Sequence, residues 1–185
     1  MTDVRPAALP RPIAAFVASI TAINRALFRL AGLAILLIVP LLLYAVVTRY
    51  VFNAPSSWAM ELGVLIFGPY FLLGGPYLLH TGGHVSLDLV SRAVRPEVNR
   101  LFLLVNYPII MAFCGILLAY AWPFAVDSFA YRETSYSTWN PPVWPVKFAI
   151  PLALALMGLQ ALAEWLRVLF RDPSIPSTHV DEAAL

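Results

Sequence analysis

The residues best suited to chemistry in this chain are three histidines, one cysteine and a sparse set of carboxylates. His80, His84 and Asp88 recur at intervals of four, a spacing that aligns side chains on one helical face. A tetrahedral zinc site needs at least three such ligands, but Gly82-Gly83 stands between them and interrupts the helix that would align them. A membrane haem needs two axial histidines, commonly on facing helices. Here His80 and His84 share one helix end and its loop, and His179 lies in the tail. No Gly-x-Ser-x-Gly elbow presents a serine nucleophile, and Cys114 sits alone in an apolar run without a partner for a disulfide or thiolate site. The chain is therefore expected to be no enzyme and to hold no cofactor or metal.

The composition explains this scarcity. Of 185 residues, 61% are hydrophobic and only 12% charged, and mean hydropathy is +0.78, whereas a soluble domain is about a quarter charged. Most of the exterior must face lipid. With 12 Lys and Arg against 10 Asp and Glu and no dense basic run, nucleic-acid binding is not expected.

Four apolar runs approach the ~20 residues needed to cross ~30 Å of hydrocarbon. They predict an all-α integral membrane protein with four transmembrane helices at 30–48, from near Trp58 through 62–79, within 101–126, and about 146–168. Lys147 and Glu164 fall within a turn or so of the ends of the last span, where a charge reaches the headgroups by snorkelling. Three regions follow: an N-terminal cytoplasmic or interfacial segment 1–29, the four-helix domain 30–168 and a cytoplasmic tail 169–185. Within the first, Ala14, Ala18, Ala22 and Ala26 recur every four residues beside Phe16, Val17 and Ile20. That register suits an interfacial helix leading into the first span, its alanine ridge either packing on another helix or being plain helical composition.

The Lys/Arg bias orients the chain. Nine arginines (Arg5, Arg11, Arg25, Arg29, Arg92, Arg95, Arg100, Arg167 and Arg171) flank one side, and Arg49, Arg132 and Lys147 the other. Both termini and the middle loop are then cytoplasmic. Trp58, Trp122, Trp139 and Trp144 form an outer aromatic belt, with Trp165 near the inner boundary. Pro40, Pro69, Pro76, Pro108, Pro123 and Pro151 lie in or beside the spans and are expected to bend them. No ionisable group stands at the bilayer centre. The polar atoms at depth are those of Tyr44, Tyr70, Tyr77, Asn106, Tyr107, Tyr120 and Gln160, which suit inter-helix hydrogen bonds better than a translocation path.

Three local patterns carry a resemblance. The first is Arg49-Tyr50-Val51-Phe52-Asn53-Ala54-Pro55-Ser56-Ser57-Trp58-Ala59-Met60-Glu61 at the far end of the first span. The second is Gly74 followed ten residues later by His84-Val85-Ser86-Leu87-Asp88. The third is Pro142-Val143-Trp144-Pro145-Val146-Lys147-Phe148-Ala149-Ile150-Pro151. In this order, and on a four-span plan, they resemble the small membrane subunit (Q-type, DctQ-like) of tripartite ATP-independent periplasmic (TRAP) transporters. Met60 stands where a second acid commonly precedes the glutamate, and His80-Thr81 where a basic pair is usual.

The resemblance implies a multi-pass protein of the bacterial inner membrane. It would serve as scaffold for a large multi-span permease subunit and help dock a periplasmic solute-binding protein during organic-acid uptake. Sodium coupling would reside in the large subunit. Arg49, Pro55, Trp58, Glu61, Gly74, His84, Asp88, Trp144, Lys147 and Pro151 are the candidate subunit-interface or structural residues. Arg49 and Glu61 suit an ion pair stapling the first hairpin; alternatively Arg49 anchors in phosphates and Glu61 complements a helix N-terminus. Asp88 suits the cap of a short interfacial helix in the middle loop, or a solvated acid. A haem or quinone membrane anchor of a respiratory enzyme is the rival reading.

Overall fold

The structure is a computed structural model that describes residues 10–81 and 96–170. Among these residues, four helices are long and apolar enough to cross a membrane. α1 is Arg11–Tyr50, α2 is Ser57–His80 and α3 is Pro96–Ala130. The last span is divided into a short α4, Trp144–Lys147, and α5, Ala149–Leu169. The division has a covalent cause. Pro151 lacks the N–H that would donate to the Lys147 carbonyl, so the i→i−4 ladder lapses around Phe148.

The first helix differs from expectation. Residues 11–29 do not form a separate interfacial helix but continue into the first span as one 40-residue helix, roughly 60 Å long at 1.5 Å per residue. The alanine ridge is not its packing face, since Ala18, Ala22 and Ala26 are exposed. The buried side is instead Val17, Ile20, Thr21, Asn24, Ala31, Ile38 and Ala45. From Asn24 onward these residues recur every seven, the narrow seam of a helix that touches its neighbours along one line. The expected middle-loop interfacial helix, with Gly82, Gly83, His84 and Asp88, and the tail from 171 lie outside the described residues.

The helices are not arranged as a ring. α5 packs against α1, α2 and α3, and α1 packs on α2, so α1, α2 and α5 form a mutually contacting triangle. The backbone of α3 packs closely on α5 and α4 and approaches neither α1 nor α2. Small residues on α5 permit this centrality: Ala161 and Ala163 are wholly buried, and Ala149 and Ala153 nearly so. Leu79 of α2, Tyr107 of α3, and Ala161 and Val168 of α5 make the core cluster, with Leu104, Met111, Met157 and Trp165 packed around it. Leu33, Leu36, Val64, Phe71, Ile109, Phe113 and Ile116 point outward and are mostly exposed, as a lipid-facing surface requires. All five of Pro40, Pro69, Pro76, Pro108 and Pro123 lie inside helices that continue past them.

Candidate functional site: a buried polar clasp and a stapled loop

The four described spans bring the start of α1 and the end of α5 to one end of the bundle and the α1–α2 and α3–α4 loops to the other. Near the terminal end, Gln160, Glu164 and Arg167 fall at i, i+4 and i+7 on α5, one face of the helix. That face meets Thr21 and Asn24, which are three residues apart on α1, and His80 at the end of α2. The Asn24 amide donates to Gln160 Oε1 at 2.8 Å. Gln160 Nε2 in turn donates to Thr21 Oγ1 at 3.3 Å and to Glu164 Oε1 at 2.9 Å. His80 Nδ1 lies 2.6 Å from the same carboxylate oxygen, and Arg167 Nη1 lies 3.1 Å from Glu164 Oε2.

Asn24 and Gln160 are 0% exposed and Glu164 5%, so Glu164 does not snorkel to the headgroups as its place near the helix end suggested. Burying a carboxylate is tolerated only where charge and donors compensate it, and here a guanidinium, an amide and an imidazole converge on it. Nearby, Arg100 Nε and Nη2 donate to the Val168 and Leu169 carbonyls, each at 3.2 Å, closing the C-terminus of α5 with a cation. Trp165 Nε1 donates to the Leu104 carbonyl at 3.2 Å. Gln160 is the one member that the sequence placed among inter-helix hydrogen bonders. The i, i+4, i+7 polar face of α5 was available as a signal for the others.

At the loop end, Arg49 and Glu61 form no ion pair, which corrects the stapled-hairpin expectation. Arg49 instead lies over the Tyr50 ring, 6.0 Å from its centroid. Glu61 Oε2 accepts from Ser137 Oγ at 2.6 Å and from Ser135 Oγ at 3.3 Å, so the carboxylate fastens the 131–143 loop to α2. The turn before α2 is closed by Asn53 at φ 52°, a left-handed conformation that asparagine tolerates well, and by the Ala54 N–H donating to the Thr48 carbonyl at 2.9 Å.

The 131–143 loop is organised by its own polar groups. Thr134 and Pro142 form an isolated antiparallel bridge, and the Tyr136 and Asn140 N–H groups donate to Asn140 Oδ1 and Ser137 Oγ, each at 3.0 Å. Arg132, Tyr136 and Asn140 adopt φ of 47°, 54° and 52°, so the loop is held in backbone conformations that cost energy for non-glycine residues. Glu61→Ala removes the carboxylate that both serines use, so the loop should become protease-sensitive, whereas Arg49→Ala leaves digestion of this loop unchanged. Limited proteolysis of the purified chain checks the pair.

Lys147 Nζ pairs with the Glu133 carboxylate and sits 4.2 Å from the Phe124 ring centroid. The Lys147 hydrogen bond holds the Glu133 carboxyl below its usual range. A lowered pKa in the folded state means that this pair stabilises the loop above the ordinary carboxylate pKa and ceases to do so as pH falls through the folded value. Loop protection from proteolysis by an acid-active protease is therefore expected to weaken on acidification, and Glu133→Gln should reduce that pH dependence, the Glu61 carboxylate being the loop's other acidic anchor.

Pro55 is an exposed loop residue. The Trp58 ring lies 5.7 Å from that of Tyr44, and Trp144 meets Phe129 edge-on at 5.0 Å. Gly74 is buried, its missing Cβ 3.8 Å from Phe28, and Pro151 is buried at the start of α5. Glu61, Trp144 and Lys147, from two separate motifs, thus converge on the loop end. No group of three or more His, Cys, Asp or Glu is placed to hold a metal among the described residues.

Comparison with known proteins agrees with this architecture. The family described as "Tripartite ATP-independent periplasmic transporters, DctQ component" matches residues 38–171. The chain is 29% identical over 105 residues to a C4-dicarboxylate TRAP transporter small permease protein of Rhodobacter capsulatus, covering 57% of this chain and 46% of that one. It is likewise 29% identical over 93 residues to the protein of the same description from Vibrio cholerae serotype O1, covering 48% and 40%. The chain thus aligns with less than half the length of each of these relatives. With four membrane-capable helices and a match covering most of its length, the chain belongs to the DctQ family, a small multi-pass membrane component of a TRAP transporter of the bacterial inner membrane and not an enzyme.

Proposed function

We propose that this chain is the static brace of a TRAP transporter: it widens the membrane-embedded scaffold of a large multi-span permease subunit and helps receive a periplasmic solute-binding protein. One observation carries the reading. A conducting path bounded by these helices would require them to surround an open axis, but α1, α2 and α5 contact one another directly and α3 lies outside that triangle. The buried ionisable side chains of the clasp are engaged with one another, not arrayed along a route.

The arginine bias places the termini in the cytoplasm. The loop end, where Glu61 and Lys147 hold the 131–143 segment, then faces the periplasm and the solute-binding protein. Organic acids are the substrate class, C4-dicarboxylates first among them since both relatives are named for these. Sodium coupling belongs to the large subunit. Proteoliposomes holding this chain alone should take up no dicarboxylate, and those holding the large permease and the loaded binding protein should take it up only when this chain is included. Sodium-driven uptake by this chain alone would overturn the proposal.

A further inference from the structure

Arg25 and Arg29, in the N-terminal half of α1, are not used by the described fold. Arg25 and Arg29 lie one turn apart on the same face and are both exposed. The described structure gives neither of them an ion pair or a hydrogen bond. Of the other described arginines of this end, Arg167 is engaged with Glu164 and Arg100 with the last carbonyls of α5. The acid of the clasp lies beyond Thr21 and Asn24, on the buried side of α1. An unshared double positive charge therefore faces outward.

Its depth follows from the sequence. Arg29 directly precedes nineteen uncharged residues, 30–48, which are long enough to fill the hydrocarbon layer. Both guanidinium groups then stand at the level of the lipid phosphates. The same face continues into the hydrocarbon through Gly32, Leu36 and Pro40, all exposed. Nothing lies within 4 Å of the position a Gly32 Cβ would take, so the helix surface is notched there, one turn below Arg29. Further in, Leu36 is 70% exposed. The surface thus offers a cationic head and an apolar trough in the order in which a phospholipid presents phosphate and acyl chain.

We propose that Arg25 and Arg29 bind the phosphate of an anionic phospholipid whose acyl chain lies in the Gly32 notch and along Leu36. Charge complementarity selects this occupant. Guanidinium groups take phosphate oxygens in a bidentate, charge-assisted fork. An apolar partner helix would leave two cations unanswered, and a zwitterionic headgroup brings its own ammonium to oppose them. The inference rests on the membrane placement of α1 and stands independently of the transport assignment.

Native mass spectrometry of the full chain titrated with phosphatidylglycerol, against phosphatidylcholine as reference, tests it. Phosphatidylglycerol should bind preferentially, and Arg25→Gln/Arg29→Gln should weaken it roughly 30-fold, each cation near an anionic surface contributing about fivefold. Arg25→Lys/Arg29→Lys keeps the charge but loses the fork and should weaken phosphatidylglycerol by less than the double glutamine change, and Gly32→Leu should weaken phosphatidylglycerol by filling the trough while leaving the charge. These positions are exposed, so all variants should keep the wild-type helical content by circular dichroism. Equal binding of the two lipids, an unchanged preference in the double glutamine variant, or displacement of phosphatidylglycerol by inorganic phosphate would overturn the proposal.

Discussion

Glu164→Ala should destabilise the purified chain by about 3–5 kcal/mol, the loss typical of breaking a buried ion pair by removing one partner. The substitution withdraws the carboxylate that Arg167 faces at 3.1 Å and the acceptor used by Gln160 and His80. Hydrogen bonds between membrane helices are individually modest, averaging about 0.6 kcal/mol, so the larger share of the effect comes from the buried guanidinium. Glu164→Gln keeps the shape and one acceptor oxygen and should cost less, about 1–3 kcal/mol. Because the two charges act as a unit, Glu164→Ala and Arg167→Ala together should cost less than the sum of the single losses, with a coupling of about 0.5–3 kcal/mol. Unfolding in mixed micelles, followed by circular dichroism, measures all four quantities. Additive losses would show that Arg167 draws its stability from elsewhere.

Ala161→Leu is the second large effect expected, at about 1–3 kcal/mol of destabilisation through overpacking. Ala161 is 0% exposed and lies among Leu79, Tyr107 and Val168, where the helices meet and the small side chain sets how near they come. Additional methylenes there must push α3 or α2 away from α5, or force neighbouring side chains off their rotamers. Ala119→Leu provides the contrast. Ala119 lines an open apolar groove of about 760 Å³ between α3 and α5, with Gly115, Trp122, Phe148 and Leu152, and an added side chain there has somewhere to go. Its stability effect should stay within about 0.5 kcal/mol, as for surface positions generally. Equal losses at the two positions would mean that α3 and α5 are held apart by something other than their shared core.

The spans and their number were legible because lipid imposes a simple rule: long runs without charge must be helices, since no water is present to satisfy an exposed backbone. Gln160 and the break at Pro151 were likewise readable, one from a lone amide at depth and the other from a missing donor. What the sequence did not disclose was pairing across distance. Asn24 and Gln160 are 136 residues apart, and hydropathy treats the first as part of a hydrophilic flank and the second as an isolated polar atom. Glu164 looked like an end charge because hydropathy weighs each residue singly, although Gln160 and Arg167 flank it on its own helix and only His80 comes from a distant stretch of chain. Glu61 was assigned to Arg49 on proximity in sequence, whereas Ser135 and Ser137, over 70 residues away, take the carboxylate instead. Of the two readings the alanine ridge allowed, plain helical composition holds, since Ala18, Ala22 and Ala26 are exposed. In a membrane the buried seam of a helix need not be its most apolar face, since lipid accepts Ala18, Ala22 and Ala26 as readily as a protein neighbour does.

The position of α3 outside the α1–α2–α5 triangle bears on biogenesis. A nascent chain presents α3 to the bilayer before its main neighbour, α5, has entered it, so this helix waits in lipid without most of its native contacts. The Asn24 amide waits longer still, for Gln160 136 residues later. Insertion of α5 therefore completes both halves of the assembly at once, and a chain truncated before residue 149 would lack the partner of both α3 and Asn24.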